Sequence, residues 1–504
     1  MRAIMVMYDT LCKRTLPNYG DAQAKMPAFE RLADLTVTFD NCYVGSLPCM
    51  PARREIHTGR MNFLHRGWGP IEPFDDSMPE ILKRAGIYTH LVSDHDHYWE
   101  DGGATYHTRY NTWENERGQE IDTWKGDLHE ISDTHSFGAA NPEVAKFLQA
   151  FRKQNAINRI YIEKQGRFPQ ENVFDKGIEF IETNHEFDNW FLQIETFDPH
   201  EPFTAPEEDQ KLNGTDESFQ YDWPPAGKVR EDDAFIGEVK KKYYSLLTTC
   251  DRSLGRVLDI MDKYDMWKDT MLIVNTDHGF LLSEHDWWGK NVMPMYNEIA
   301  NIPLFIWDPR TGVKGERREA LVQTIDMAPT ILNFFGIEPT KDMLGHDLAA
   351  TIEKDEKVRD YAVYGIFGGQ TDITDGKYVY MRSPVTDHDA DGNPVCYEYT
   401  LMPTDMMNRK PVEQLQKATL AEPFSFTKGM PVLKLPAGRG HGTPQYGDDA
   451  LYDLSVDPGQ RNPITDEAVL APVRERMLDA MAKVFCENDA PAEQYIRLGL
   501  KKPE

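Results

Sequence analysis

Four short apolar runs along the chain end abruptly in acidic or histidine residues. A short apolar run closed by polar residues is typical of a buried strand whose carboxyl end carries polar groups. We therefore predict four buried strands with polar carboxyl ends. The runs are residues 3–7 before Asp9, 88–92 before the stretch 93–97, 190–194 before Asp198 and His200, and 271–274 before Asp277 and His278.

Helical patterns lie between these runs. Ahead of the fourth run, apolar positions recur at spacings of three and four, which predicts an amphipathic helix over about 246–261. Strands that alternate with helices predict an α/β fold, with a doubly wound, mostly parallel central sheet flanked by helices. A further helix is predicted over 321–335, stopped by Gly336.

The pattern changes after about residue 355. Short strand-like pieces at 361–364, 377–380 and 432–435 stand among Gly, Pro and Asp turns, and a helix is predicted around 472–485. These features predict a smaller C-terminal α+β subdomain with a short antiparallel sheet. We accordingly expect a catalytic α/β domain at 1–355 and this subdomain at 356–504.

The acids and histidines concentrate at the ends of the predicted strands. In open α/β sheets, ligands bind outside the carboxyl ends of the strands, so this edge is where a site is expected. One acidic residue after a strand is more often a helix N-cap than a ligand. Four such ends, three of them with histidines, favour a functional site.

Composition narrows the possible partners. The chain has 504 residues and a formal net charge of -28, which repels nucleic-acid phosphates. An anionic substrate would need concentrated positive charge in the site itself. No long apolar stretch predicts a membrane span, and the N-terminus lacks a signal-peptide pattern, so we expect a cytoplasmic protein without nucleic-acid or membrane partners. Six widely spaced cysteines favour neither disulfides nor a thiolate zinc site.

One motif adds a family resemblance. The run Cys49-Met50-Pro51-Ala52-Arg53, followed by Thr58-Gly59-Arg60, resembles the Cys-X-Pro-X-Arg...Thr-Gly-Arg signature of the type I sulfatases, the formylglycine-dependent branch of the alkaline phosphatase superfamily. Further segments resemble the family in the expected order along nearly the whole chain. They are Asp9-Thr10-Leu11, Thr276-Asp277-His278-Gly279, Gly289-Lys290, Ile302-Pro303-Leu304 and Leu451-Tyr452-Asp453-Leu454.

The resemblance implies a nucleophile and a metal site. In the family the cysteine is oxidised by a formylglycine-generating enzyme, which would be a partner of this chain, and the hydrated aldehyde attacks sulfur. The implied metal ligands are Asp9, Asp277, His278 and modified Cys49. This oxygen-rich set suits calcium, with magnesium or manganese as alternatives. Thr10 stands where the family often has a second acid.

The resemblance also assigns the remaining catalytic residues. Arg53 would orient the nucleophile, Lys290 would bind sulfate oxygens, and His200 would protonate the leaving group. Where many sulfatases carry Gly-Lys-Trp-His, this chain has Asp94-His95-Asp96-His97, so the usual lysine is absent. His97, or as an alternative His95, would replace the family's histidine, although either can instead be a structural histidine paired with a neighbouring aspartate.

The sequence therefore predicts a sulfuric ester hydrolase that acts on a sulfate ester, with a carbohydrate as the favoured organic part. Phosphonate monoester and phosphodiester hydrolases of the same superfamily are the alternative, and a catalytically silent sulfatase-like binding protein is a third. Substrate recognition is expected from the loops at 99–135, 201–233 and 385–445.

Overall fold

The structure is a computed structural model that describes residues 1–20, 22–137, 142–392, 395–437 and 448–503. The strands of these residues are β1 Arg2–Tyr8, β2 Val37–Tyr43, β3 Ser46–Leu47, β4 Tyr88–Ser93, β5 Thr112–Asn115, β6 Trp190–Thr196, β7 Gly227–Lys228, β8 Thr270–Thr276, β9 Leu281–Leu282, β10 Trp287–Gly289, β11 Asn301–Trp307, β12 Glu316–Arg318, β13 Val322–Gln323, β14 Ala362–Ile366, β15 Thr371–Thr374, β16 Tyr378–Arg382, β17 Tyr397–Thr400, β18 Thr419–Ala421, β19 Val432–Pro436 and β20 Ala450–Asp453.

The helices alternate with the strands through the first two thirds of the chain. They are α1 Pro27–Leu35, α2 Cys49–Thr58, α3 Met78–Arg84, α4 Ala104–His107, α5 Pro142–Gln165, α6 Pro169–Asn184, α7 Glu207–Leu212, α8 Asp233–Lys263, α9 Asn297–Ala300, α10 Met327–Phe334, α11 Ala349–Lys354, α12 Val412–Leu415, α13 Glu467–Glu487 and α14 Ala492–Leu498.

The central sheet has the order β12-β2-β11-β8-β1-β6-β4-β5, with β13 also paired to β2. Strands β8, β1, β6, β4 and β5 are mutually parallel, whereas β11 runs antiparallel to both of its neighbours. The four strands predicted from the apolar runs are the adjacent β8, β1, β6 and β4. The predicted mostly parallel α/β sheet is confirmed.

Both faces of the sheet are covered. Alternate residues of β1 point to opposite sides: Ile4 and Val6 pack with α1, α6 and α8, whereas Met5 and Met7 pack with α2, α3 and α10. Because both sides of the strand are buried, its sequence is a continuous apolar run rather than an alternating one. This packing is the doubly wound arrangement that the sequence predicts.

The C-terminal part contains smaller sheets. One has the order β20-β16-β15-β14-β3 and another the order β17-β19-β18. Their pairs are antiparallel except that β14 lies parallel to β3, which comes from the segment just before Cys49. The predicted antiparallel sheet is therefore present, and it reaches the N-terminal part through β3. The boundary at 355/356 stays a prediction.

Three local predictions differ from the structure. The helix predicted over 321–335 begins only at Met327, because residues 322–323 form β13 and pair with β2. The C-terminal helix begins at Glu467, earlier than predicted, with Pro472 inside it. The long loop predicted at 201–233 contains α7 and β7.

Two predictions of absence concern membrane spans and disulfides. Among the described residues, no helix combines the length and the apolar character needed to cross a membrane. All six cysteines are free, and Cys12, Cys42, Cys49 and Cys250 are buried.

Candidate active site

The carboxyl ends of the central strands bring the predicted site residues to one edge. Tyr8, the last residue of β1, pairs with Thr276 of β8 on one side and with Thr196 of β6 on the other. Asp9 and Asp277, the next residues along β1 and β8, therefore lie next to each other. The segments after β4 and β6 bring His95, His97 and His200 to the same edge.

Four of the predicted residues form a cluster that could hold a metal ion. One donor atom each from Asp9, Cys49, Asp277 and His278 lies within 4.8 Å of the others, and all four residues are buried. Asp9 Oδ2 is buried without a hydrogen bond of good geometry, although the Arg53 guanidinium lies 3.1 Å from it, and a metal cation could also bind this oxygen. Two carboxylates and an imidazole fit a divalent cation that prefers oxygen ligands.

Cys49 is the first residue of α2, at the positive end of the helix dipole. Its Sγ lies 3.1 Å from His278 Nε2 and 3.9 Å from Asp9 Oδ1. Burial, followed by the Asp9 carboxylate, raises the pKa of the Cys49 thiol well above its usual value. In the absence of a metal, this shift favours the protonated thiol, which is a weak nucleophile.

Arg53 lies one helical turn beyond Cys49 and contacts three buried carboxylates. Its guanidinium is 3.1 Å from Asp9 Oδ2, 2.9 Å from Glu195 Oε1 and 2.6 Å from Asp277 Oδ2. Burial opposes its charge, but the three carboxylates exceed that effect and raise the pKa of Arg53. Arg53 is therefore a fixed cation at the centre of the site.

The carboxylates of Asp9 and Asp277 differ in pKa. For Asp9, burial favours the neutral acid, but Arg53, His200, Lys290 and His278 together hold its pKa well below the usual range. For Asp277, burial and the neighbouring Asp9 raise the pKa. Asp9 is thus the more firmly ionised of the pair.

Lys290 is linked to the same cluster through Thr10. Its ammonium donates to Thr10 Oγ1 at 3.0 Å and to Glu201 Oε2 at 3.0 Å, and Thr10 Oγ1 in turn donates to Asp9 Oδ1 at 2.7 Å. Burial by itself would lower the pKa of Lys290. The Glu201 carboxylate and the cluster of Cys49, Asp9 and Asp277 outweigh this effect and raise the pKa above its usual value, so the ammonium keeps its charge. Thr10 has a φ of 65°, an uncommon conformation for a β-branched residue and one that concentrates at functional sites.

His200 follows β6 and lies against the same cavity as Cys49. Its Nδ1 donates to the backbone oxygen of Glu201, which leaves Nε2 as the acceptor nitrogen of a neutral ring. Burial lowers the pKa of His200 to about 4. A proton on Nε2 therefore needs additional negative charge nearby.

His95 and His97 both line the cavity beside Cys49, and they differ in their partners. His97 Nδ1 lies 2.7 Å from Glu100 Oε2, and although burial opposes its charge, Asp96 and Glu100 raise the pKa of His97 to about 9. His95 is fully buried with Nε2 3.7 Å from Asp9 Oδ2, and neither ring nitrogen has a hydrogen bond. His97 is thus an imidazolium at neutral pH. Of the two histidines, His95 lies nearer the cluster of Asp9, Cys49, Asp277 and His278.

A cavity of about 480 Å³ opens in front of Cys49. All three loops expected to recognise substrate contribute to its wall, together with Phe151 and Arg152 of α5. Residues 393–394 and 438–445 of the third loop lie outside the described residues. The loop residues that line the cavity are Glu120, Ile121, Glu201, Trp223, Pro224, Pro225, Ala226, Met407 and Asn408.

Sequence reasoning missed several residues of the site. Glu195, which is fully buried, accepts from Arg53 and from Tyr98 Oη at 3.1 and 3.0 Å. Glu195 lies near the carboxyl end of β6, but Gln193 and Thr196 are also polar residues of this strand, so the sequence did not single Glu195 out. Trp68, Glu120 and Arg152 line the cavity, but no motif surrounds them in the sequence.

Comparison with known proteins identifies the family. The family model described as Sulfatase matches residues 3–337. The chain belongs to the sulfatase family. This membership confirms the predicted enzyme class, a sulfuric ester hydrolase, and the family normally uses a metal and a formylglycine.

Individual relatives share only low sequence identity with the chain. An N-acetylglucosamine-6-O-sulfatase of Bacteroides thetaiotaomicron is 23% identical over 403 residues, covering 70% of this chain and 71% of that protein. A solved complex with the substrate D-glucosamine-2-N,6-O-disulfate aligns with a TM-score of 0.65 and 16% identity over 97% of this chain and 98% of that one. The phosphonate monoester hydrolase of Agrobacterium radiobacter aligns with a TM-score of 0.62 and 17% identity over 97% and 96%. At these identities, the solved structures show a common fold.

Proposed function

We propose that the protein hydrolyses the sulfate ester of a carbohydrate, with a formylglycine derived from Cys49 as its nucleophile. The observation that carries the proposal is the convergence of Cys49 with Asp9, Asp277 and His278 within 4.8 Å. Cys49 also lies in a Cys-X-Pro-X-Arg motif, at the positive end of α2. A silent binding protein would need none of these side chains in this arrangement.

Each of these groups has its own role in the proposed reaction. The hydrate of formylglycine would supply two hydroxyls, one as the nucleophile and one to expel the sulfate later, and Asp9, Asp277 and His278 would hold a metal that supplies positive charge to the nucleophile. Lys290 is positioned to bind a sulfate oxygen. Arg53 and the N-terminus of α2 add positive charge beneath residue 49. These groups provide the local charge that an anionic substrate needs in a protein of net charge -28.

His200 is proposed to protonate the leaving oxygen. Its ring is neutral without substrate, since its pKa is about 4. A bound sulfate places negative charge beside it and raises that pKa, so substrate binding itself favours the proton that catalysis needs.

Replacing His200 with asparagine should therefore affect substrates according to their leaving groups. We expect kcat for a sugar sulfate, whose alkoxide leaves poorly, to fall by about 100- to 10,000-fold. Nitrophenyl sulfate should lose far less, because nitrophenolate leaves without a proton. Steady-state kinetics on both esters, with the exposed His129→Asn as the control, measure the difference. An equal loss on both esters would show that His200 does not act as the acid.

Phosphonate monoester or phosphodiester hydrolysis is the second candidate. It is favoured by the absence of a lysine from the segment 94–97 and by the fold shared with a phosphonate monoester hydrolase. Calcium remains the proposed metal, with magnesium and manganese as alternatives.

The two candidates make opposite predictions about turnover. We expect kcat/KM for nitrophenyl sulfate to exceed that for nitrophenyl phenylphosphonate, measured on protein whose residue 49 is shown to be formylglycine by the mass of its peptide. Fast phosphonate cleavage with no sulfate turnover would replace the first proposal with the second. An active preparation with an unmodified Cys49 would refute the formylglycine mechanism.

A further inference from the structure

Glu120 stands out among the residues that line the cavity in front of Cys49. Its partly buried side chain lines the same cavity as Cys49. Within the described residues, its carboxylate has no hydrogen bond and no ion pair, whereas Glu201 on the same wall is paired with Lys290. Glu120 therefore presents acceptor oxygens to the cavity.

The backbone at Glu120 is held in an unfavourable conformation. Its φ is 38°, in the left-handed region that favours glycine and asparagine. Hydrogen bonds hold the surrounding turn in place. Arg117 donates to Asp122 at 2.7 and 2.6 Å, and Gln119 donates to Asp94 at 2.9 Å. The turn thus fixes Glu120 in place despite the cost of its conformation.

The electrostatic surroundings of Glu120 are also unfavourable. Burial, followed by the carboxylates of Asp96 and Glu201, raises the pKa of Glu120 well above its usual value, while His97 and Lys290 oppose this only in part. An acid held beside other carboxylates destabilises the folded protein. Glutamine would fill the same space without this repulsion.

Within the described residues, Glu120 combines a strained backbone, neighbouring carboxylates and the lack of a hydrogen-bond or ion-pair partner. A bound ligand best explains why a glutamate occupies this position. Such residues cluster at binding sites because the ligand, rather than the fold, supplies the missing interaction. A second residue of the same cavity has the same property: His95 is fully buried, and neither of its ring nitrogens is bonded. The nearest carboxylate oxygens, Asp9 Oδ2 at 3.7 Å and Asp96 Oδ1 at 3.5 Å, are too far from its ring nitrogens for good hydrogen bonds, so His95 is a second polar group that a ligand could satisfy.

The other walls of the cavity suggest the shape of that ligand. Trp68 and Trp223 line it, together with Pro224 and Pro225. Flat apolar side chains beside an acceptor suit a ring that has an apolar face and hydroxyls at its edge. Carboxylate oxygens accept strong hydrogen bonds from such hydroxyls.

We propose that Glu120 is the specificity-determining residue of a leaving-group subsite, in which its carboxylate accepts hydrogen bonds from hydroxyls of the sugar ring that carries the sulfate ester. This inference rests on the proposed function and deepens it. An aryl sulfate lacks these hydroxyls and would not use Glu120.

The test compares sugar and aryl esters in Glu120→Gln. The probes are glucose 6-sulfate, galactose 6-sulfate, N-acetylglucosamine 6-sulfate and nitrophenyl sulfate, on protein with formylglycine at residue 49. We first identify the sugar sulfate that the parent protein, with Glu120 in place, cleaves best. For this ester we expect kcat/KM of Glu120→Gln to fall by at least about tenfold, chiefly through a higher KM. For nitrophenyl sulfate we expect a change below about twofold, and Glu120→Asp should recover part of the loss.

Two controls separate binding from folding. Glu130→Gln removes the same charge from an exposed position of the same loop and should change neither ester. Glu120→Gln should also unfold at the same or a higher temperature than the parent, because a buried repulsion is removed. A structural role predicts the opposite: a lower unfolding temperature and equal losses on both esters.

Several outcomes would overturn the inference while the proposed function survives. These are equal losses on sugar and aryl sulfates, no loss on either, or a parent enzyme that cleaves no sugar sulfate better than nitrophenyl sulfate. Absence of all sulfate turnover in protein with formylglycine would refute the proposed function, and the inference with it.

Discussion

Replacing Cys49 with alanine is expected to reduce kcat for nitrophenyl sulfate by roughly a million-fold, the scale seen when an enzyme nucleophile is removed. The reason is geometric. Cys49 Sγ lies 3.1 Å from His278 Nε2 at the start of α2, and alanine offers neither an attacking atom nor a metal ligand there. The measurement is steady-state turnover, with circular dichroism to verify the fold.

The matched control for this variant is Cys486→Ala, at an exposed free cysteine far along the chain. It should keep the activity of the parent, since it touches none of the site residues. If Cys49→Ala kept more than about one hundredth of the parent rate, residue 49 could not be the nucleophile.

Replacing Arg53 with methionine should cause the largest loss of stability. Arg53 is 1% exposed and is the shared cation of Asp9, Glu195 and Asp277, each fully buried. Removing it leaves three buried carboxylates without this partner, and breaking a buried ion pair in this way typically costs about 3–5 kcal/mol. Denaturant unfolding of the metal-free protein measures the loss.

Arg84→Met is the control, because Arg84 is 74% exposed and its pair with Glu80 is of the kind that contributes at most about 1 kcal/mol. Added calcium should restore part of the stability lost by Arg53→Met, since a divalent cation between Asp9 and Asp277 would replace the missing positive charge. An Arg53 variant as stable as the parent without metal would mean that the carboxylates are protonated rather than paired.

The local charge of the site explains how an acidic protein can act on an anion. Arg53 and Lys290 keep their charge despite burial, because carboxylates surround them. His97, whose pKa is raised to about 9, adds a further positive charge at the wall of the cavity. Because carboxylates balance these cations, a bound divalent metal would have to supply the net positive charge that an anion needs in a chain of formal charge -28.

The sequence by itself predicted the parallel sheet and placed the candidate site residues at the carboxyl ends of its strands. Apolar runs that end in Asp9, Asp277 and His200 predicted buried strands of this sheet, and the structure shows that β8, β1 and β6 are parallel neighbours in it. This worked because a strand buried on both faces must be apolar throughout, so a polar residue marks its end. The motif around Cys49 could be recognised because its residues are close together along the chain.

Only the tertiary structure decided which distant residues complete the site. Glu195 reaches Arg53 across 142 positions of sequence, and Thr10 reaches Lys290 across 280. Helix α10 begins later than its apolar pattern predicts because β13 pairs with β2. Glu120 has no motif, and its environment comes from segments far apart in the chain. Periodicity and short motifs report local preferences, whereas partners, burial and electrostatic surroundings depend on which segments the fold brings together.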